Sequence, residues 1–250
     1  MIAALLEHLD SRGLLPDVVT TTSPYVADCV KRLAPAIDRR ASVNLRLDST
    51  LALEMLGDAF DSFYLRRDLQ RDLSTVARFH AWADAHGKRL CLLANSGCLR
   101  NCPYQTFHDN LLAHDAEIAR TPSAGDFLPH LCWKNYLVAK RYEDFLRGSW
   151  IRPEDVSRYE PYVSVMKLAT RVHSHPRMIV AAYAAGRFDG NLAALTEPDL
   201  SAAFAPRIID NRRFPSDWLD TTAGACATNC THCGRCTELL ATVLVDPSAV

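Results

Sequence analysis

The sequence predicts an α/β protein of the TIM-barrel type with a cysteine-rich C-terminal extension, and two observations lead to this prediction. Strand-like segments begin near residues 18, 42, 62 and 89, at intervals of about 20–27 residues, with helical segments between them. This alternation is typical of a parallel sheet built from βα units. The last 50 or so residues, in contrast, hold a dense group of cysteines in place of further βα units.

The first elements follow from hydrophobic spacing and from residues that start or stop helices. A helix is predicted over residues 1–12, where Gly13 ends the apolar spacing. Strands are predicted at Val18–Thr22, Ala41–Leu47, Phe63–Leu65 and Arg89–Ala94. Helices are predicted after Ser23-Pro24, after Ser49-Thr50 and from about Leu73 to Gly87.

Fewer helices and strands are predicted after residue 100. They are a helix around residues 104–119 and strands at Ser149–Ile151 and Val163–Leu168, which bring the total to about six strands. A complete eight-stranded barrel usually takes about 250 residues. We therefore expect a barrel domain over residues 1–200, either incomplete or completed by a partner, and an extension over residues 201–250. Within the extension, Pro206–Trp218 is interpreted as a linker or a packed irregular arm.

Charge and hydropathy narrow the class of protein. The 28 Lys and Arg residues nearly balance the 29 Asp and Glu residues, so no overall positive charge favours a nucleic-acid backbone or an anionic membrane. No apolar run approaches the roughly 18–20 residues of a membrane span, and Glu7 and Asp10 interrupt the apolar N-terminus. The sequence therefore predicts a cytoplasmic protein without membrane contact.

Three cysteines, Cys98, Cys102 and Cys132, form a first cysteine group. In a reducing compartment, clustered cysteines favour metal binding over disulfides. The strand before Cys98 leads to the carboxyl edge of the sheet, and the helix predicted to begin at Pro103 would point its positive end at an anionic metal centre. His108 is a candidate ligand or catalytic residue in the same stretch. Cys29 and Cys91 lie apart in apolar stretches and are interpreted as packed core thiols.

A second cysteine group has the spacing Cys226-x3-Cys230-x2-Cys233-x2-Cys236 and places four thiols within 11 residues. Gaps of two and three residues favour a 4Fe-4S cluster, with zinc as the alternative. Seven cysteines cannot fill two four-cysteine clusters. Either two centres exist and the first group leaves one iron open or bound to His108 or His130, or one cluster draws ligands from both groups.

Cations at predicted strand ends indicate an anion-binding rim. Arg152, Lys167 and Arg171 fall at or just past the carboxyl ends of strands, where βα proteins bind ligands. They are candidates to bind a carboxylate or a phosphate, and Lys167 and Arg171 are also candidate catalytic residues with His108. In contrast, Pro153, Glu154 and Asp155 are explained by helix-start chemistry.

Several motifs resemble peptidase family U-32, a collagenase-like family. They are Asn95-x2-Cys98-x3-Cys102-Pro103-x4-His108, the Phe63–Leu69 stretch FYLRRDL, Cys132, Ile151–Asp155, and Lys167–Arg171 followed by Tyr183 and Gly186. The resemblance covers about residues 18–195 and implies a TIM-barrel-like fold with a cysteine-held iron–sulfur cluster. It also implies roles of the kind known in the family, where members assist oxygen-independent hydroxylation in ubiquinone synthesis or hydroxylate bases of tRNA or rRNA.

The predicted function is that of an iron–sulfur oxidoreductase, or a component of an oxygen-independent hydroxylase, acting on a small anionic or RNA-borne substrate. One alternative is a U-32-type peptidase, although neither Gly-x-Ser-x-Gly nor His-Glu-x-x-His occurs in the chain. The other is a non-catalytic electron-transfer or scaffold subunit, whose partner completes the barrel or exchanges electrons with it.

Overall fold

The computed structural model describes residues 2–113, 130–222, 226, 230 and 232–247. By its contacts the chain forms two compact units. The first unit comprises Met1–Leu93 and Arg158–Lys167, and the second comprises Ala94–Ser157 and Leu168–Val250. The domain boundary that the sequence predicts at residue 200 stays a prediction. None of the helices in the described ranges has the length and apolar character needed to cross a membrane.

The first unit is built on a parallel sheet of five strands that lie side by side in chain order and curl into a half-barrel. The strands are β1 (Val18–Thr21), β2 (Asp38–Ala41), β3 (Ser62–Tyr64), β4 (Arg89–Leu93) and β5 (Val165–Lys167). The helices of this unit are α1 (Ile2–Asp10), α2 (Pro24–Leu33), α3 (Thr50–Leu56) and α4 (Leu73–Ala85). The α/β class and the incomplete barrel that the sequence predicts are thereby confirmed.

The two faces of this sheet differ in chemistry. On one face the ring of Phe63 packs against Phe79 and Trp82 of α4, with ring centroids 6.5 and 6.2 Å apart. On the other face the buried carboxylate of Asp38 accepts hydrogen bonds from Arg40 at 2.6 Å and from Ser62 at 2.8 Å. Because buried charges are tolerated only when they are paired, this network replaces the apolar filling that is usual inside a barrel.

Two strand predictions are wrong, for related reasons. The strand predicted at Ala41–Leu47 ends at Ala41, because the hydroxyl of Ser42 accepts the N–H of Asn44 and starts a 3-10 turn. The segment Ser149–Ile151 belongs to no strand, although it is buried. In both cases apolar side chains reach a core from irregular backbone, and a short window of sequence does not distinguish this from a strand.

The second unit is mainly helical. Its helices are α5 (Gln105–Ala113), α6 (Leu131–Trp133, continued by a π-helical turn at Lys134–Val138), α7 (Glu143–Leu146), α8 (Pro176–Ala185), α9 (Ser201–Phe204), α10 (Trp218–Thr222) and α11 (Arg235–Val243). A two-stranded antiparallel sheet joins β6 (Ile208–Ile209) to β7 (Leu244–Val245).

One aromatic core holds the second unit together. The ring of Trp150 stacks on Trp218 at 6.0 Å and on Phe145 at 5.2 Å, and its indole N–H donates to the carbonyl of Phe145. Trp218 and Phe214 are buried in the same core, so Pro206–Trp218 is packed against this unit, and it includes the short strand β6. Burial of such side chains supplies about 1.5–3 kcal/mol each.

Candidate functional site

Backbone hydrogen bonds to two other segments of the chain hold the loop that carries Cys98 in place. The amide of Gly97 donates to the carbonyl of Glu197 at 3.0 Å, and the amide of Glu197 donates to the carbonyl of Asn95 at 2.7 Å. The carbonyl of Cys98 accepts the amide of Ser149 at 3.2 Å. A Cβ at Gly97 would lie 3.1 Å from the side chain of Leu200, so the close approach favours glycine.

The side chain of Asn95 completes this anchorage. It is fully buried, and its amide nitrogen donates to the carbonyls of Ala169 at 2.7 Å and Leu195 at 3.1 Å. Its amide oxygen accepts the N–H of Ala169 at 2.7 Å. The sequence singled out Asn95 only as part of the motif, whereas the structure makes it the residue that fixes the start of the Cys98 loop.

The three members of the first cysteine group are half-buried and act on one another electrostatically. Burial raises the pKa of Cys132 to about 11, and the nearby thiols of Cys98 and Cys102 raise it as well. Like charges repel, so each thiol makes it harder for the others to ionise, which means that the fold brings these thiols close together. A bound metal would have to displace their protons, as thiolate ligation always requires. Helix α5, expected from Pro103, begins at Gln105.

Two histidines of this region also meet. The rings of His108, on α5, and His130, just before α6, are 4.4 Å apart between centroids and nearly perpendicular. His130 lies two residues before Cys132. The sequence offered both histidines as non-cysteine ligands, and that role stays a prediction, as does a catalytic role for His108.

The second cysteine group lines a single cavity of about 100 Å³. All four thiols contribute to it, together with Arg147, Arg235, Thr221 and Thr222. Cys236 is buried in the first turn of α11, and Cys233 is exposed at the rim. Four sulfur donors around one cavity suit a thiolate-ligated cluster, which the residues present could hold.

A single tetrahedral ion would need a tighter arrangement. Zinc–sulfur bonds of about 2.3 Å place tetrahedral sulfurs about 3.8 Å apart. Within the described ranges, no three His, Cys, Asp or Glu side chains are grouped closely enough to hold one metal ion. In a cluster each thiolate binds a different iron, so wider sulfur spacing is required there.

The two remaining cysteines are core residues, as the sequence predicts. Cys29 and Cys91 are both buried. Burial raises the pKa of Cys91 to about 11, which keeps this thiol protonated and unreactive at neutral pH.

The cations of the predicted anion-binding rim have different surroundings. Arg152 is buried, donates to Asn211 at 3.0 Å, pairs with Glu154 at 3.3 Å and lies over the ring of Phe214. Arg171 is exposed in the second unit. Lys167 ends β5 in the first unit, with its ammonium 5.5 Å from the ring centre of Tyr64. The catalytic and substrate-binding roles of these three cations stay predictions.

One residue near the second group was missed by sequence reasoning. Arg147 lines the cysteine cavity and donates to the buried carboxylate of Asp144 at 2.8 Å. Their spacing of three residues is a signal for a helical ion pair. Nothing in the sequence, however, indicates that this pair adjoins cysteines about 80–90 residues further along the chain.

Comparisons with known proteins give one informative match. No family model matches the chain, and no solved structure matches it. A curated protein of Methanocaldococcus jannaschii, named an uncharacterized protease, is 30% identical over 161 residues. The match covers 60% of this chain and 44% of the relative, so the chain spans less than half of that protein. With this match, the resemblance of the chain to peptidase family U-32, indicated by its motifs, is confirmed.

Proposed function

We propose that this chain is a U-32-type iron–sulfur protein that acts as an oxidoreductase or as a component of an oxygen-independent hydroxylase. The observation that carries the proposal is the cavity lined by all four thiols of the second cysteine group. Core packing does not require four cysteines around one space, whereas four thiolates can ligate all four irons of a 4Fe-4S cluster.

The two cysteine groups suit different tasks in this proposal. When bound, a cluster supplies one-electron chemistry, and an iron without a protein ligand adds a position for water or substrate. Four thiols can close the second site, which suits electron relay or a structural role. The first group has three thiols and would leave one position open. Asn95 holds the Cys98 loop in place, and Cys102 and Cys132 pack against the aromatic core, which keeps water away from them.

The substrate side of the proposal rests on charge. Arg171 is exposed, and it lies in the segment that follows β5. An exposed guanidinium there suits a small anionic substrate or an RNA phosphate. Arg152 and Lys167 are the further candidates to bind such a substrate.

A peptidase is the second candidate, and the comparison favours it over the oxidoreductase. The curated relative is named an uncharacterized protease. A peptidase of this chain would have to use a nucleophile or metal outside the Gly-x-Ser-x-Gly and His-Glu-x-x-His patterns, because neither occurs in the sequence.

Anaerobic purification with iron and sulfide analysis separates the two candidates. The proposal expects about four to eight irons per chain and broad visible absorption. Cys233→Ala should lose the second centre and keep the first, whereas Cys98→Ala should lose the first. Cys29→Ala removes a thiol outside both groups and should keep all the iron.

Three results would contradict the proposal. Stoichiometric zinc without iron, even after anaerobic reconstitution, removes the redox function. If removal of any one of the seven cysteines empties both groups, the two-centre model is wrong and one shared cluster takes its place. Hydrolysis of a casein substrate by the iron-free protein supports the peptidase instead.

A further inference from the structure

Arg147 is held at the wall of the second cysteine group's cavity by a buried acid. Its guanidinium donates to Asp144 at 2.8 Å, and the side chain is 22% exposed. Burial acts against the charge of Arg147, but the nearby carboxylates of Asp144 and Glu143 favour it, and the pKa of Arg147 is raised. The guanidinium is therefore a fixed positive charge beside the thiols.

Asp144 also accepts hydrogen bonds from other donors, so its negative charge is shared among several groups. Its second oxygen accepts the amide of Asn135 at 2.8 Å and the guanidinium of Arg141 at 3.2 Å. Two guanidinium groups therefore share this carboxylate, and Glu143 is a second acid close enough to act on Arg147. Arg141 is 54% exposed and, like Asp144 and Glu143, does not line the cavity, so among these four groups it is Arg147 whose charge faces the thiols.

A second guanidinium lies on the same cavity. Arg235 opens α11, lines the cavity and donates to the carbonyl of Thr221. Arg147 and Arg235 thus approach the four thiols from two different helical segments. Arg147 is anchored by the carboxylate of Asp144, and Arg235 by the carbonyl of Thr221.

We propose that Arg147 and Arg235 are charge-compensating residues of the second cysteine group, which favour the reduced form of the centre held there. This inference rests on the proposed iron–sulfur function. Four thiolates make the centre anionic, and one-electron reduction adds a further negative charge. Nearby fixed positive charges attract that extra charge, so they stabilise the reduced state and raise the reduction potential.

The step itself is a single electron transfer. When a cluster is bound, an added reductant of the dithionite class would donate one electron to it and would itself be oxidised. No bond is formed or broken. An anchored arginine is suited to this role because its guanidinium cannot lose its proton and its position is already fixed.

Potentiometric titration of the anaerobic holoprotein, followed by electron paramagnetic resonance, tests the inference. Arg147→Gln keeps a similar size and removes the charge, and it should favour the oxidised form about tenfold, or about 59 mV for a one-electron couple. Arg147→Lys restores a charge and should recover part of the shift. Arg141→Gln is the matched control, since it removes another partner of Asp144 outside the cavity and should leave the potential unchanged.

The outcomes separate this inference from the proposed function. A wild-type protein without iron overturns both. Iron-loaded variants with the potential of the wild type overturn the charge compensation alone, as does an equal shift in Arg141→Gln. If Arg147→Gln fails to fold, Arg235→Gln takes its place, because Arg235 is exposed and its removal disturbs less packing. A lower potential in Arg235→Gln supports the inference, and an unchanged one refutes it.

Discussion

Replacing Asn95 by alanine should destabilise the second unit strongly. Its side chain is fully buried and makes three hydrogen bonds with backbone groups, two of them to Ala169 and one to Leu195. Alanine fills part of the space but offers none of these bonds. The N–H of Ala169 and two carbonyls then lose their side-chain partner.

The magnitude follows from those three contacts. A hydrogen bond to a buried backbone group is worth about 1–1.5 kcal/mol when its loss leaves the group without a partner. Three of them give about 3–4.5 kcal/mol for Asn95→Ala. Asn95→Asp should be no more stable than Asn95→Ala, because an ionised carboxylate has no N–H to donate to the carbonyls of Ala169 and Leu195.

Urea unfolding followed by tryptophan fluorescence measures this loss. Trp133, Trp150 and Trp218 belong to the same unit as Asn95, so they report on its unfolding. The control is Asn110→Ala, an exposed substitution on α5 that should change the free energy of unfolding by less than about 0.5 kcal/mol. A loss below about 1 kcal/mol for Asn95→Ala would refute the idea that this side chain anchors the Cys98 loop.

Two further predictions concern titratable groups of the first unit. In the metal-free native protein at pH 8, iodoacetamide should leave Cys91 unmodified, because burial raises the pKa of this thiol to about 11. The exposed Cys233 should be alkylated under the same conditions. Mass spectrometry of native and denatured samples measures both modifications. Burial raises the pKa of Asp61, but hydrogen bonds from Arg39 outweigh it and the net pKa lies below the ordinary 3.8. The stabilisation from Asp61 is therefore present above about pH 4 and lost as the pH falls through the lower folded-state pKa. Asp61→Asn should flatten the fall of the urea midpoint between about pH 5 and pH 2, and an unchanged slope would contradict the assignment.

The sequence predicts the first unit well because its local signals agree with its packing. Ser23 and Ser49 accept backbone amides at the starts of α2 and α3, as their positions indicate. Strands at Val18, Phe63 and Arg89 begin at or within one residue of the predicted positions. The segments Ala41–Leu47 and Ser149–Ile151 fail because there burial is decided by tertiary contacts, which override a short alternating pattern.

The candidate site is predictable only as far as its chemistry is local. The grouping of Cys226 to Cys236 is visible in the sequence, and the structure lines one cavity with these thiols. The position of Arg147 beside these cysteines, in contrast, depends on packing between α7 and α11, which no local pattern encodes. Residues that act across such distances in the chain are found from contacts alone.

A last prediction concerns Glu197, whose backbone pairs with the Cys98 loop. One of its carboxyl oxygens has no hydrogen-bond partner among the described residues, and burial raises its pKa above the ordinary 4.5, although His173 and Arg171 oppose the shift. A raised folded-state pKa means that ionised Glu197 weakens the fold. This penalty is absent below about pH 4.5 and complete once the pH exceeds the folded-state pKa.

Glu197→Gln keeps the shape of the side chain and removes the charge. Its unfolding free energy should therefore exceed that of the wild type at pH 7 and equal it at about pH 4. Glu160→Gln, at an exposed acid of the other unit, should change neither value. If Glu197→Gln is less stable than the wild type by the same amount at both pH values, the carboxylate makes a stabilising bond and the penalty does not exist. A gain confined to pH 7 would mean that the fold keeps a costly carboxylate on the segment that pairs with the Cys98 loop.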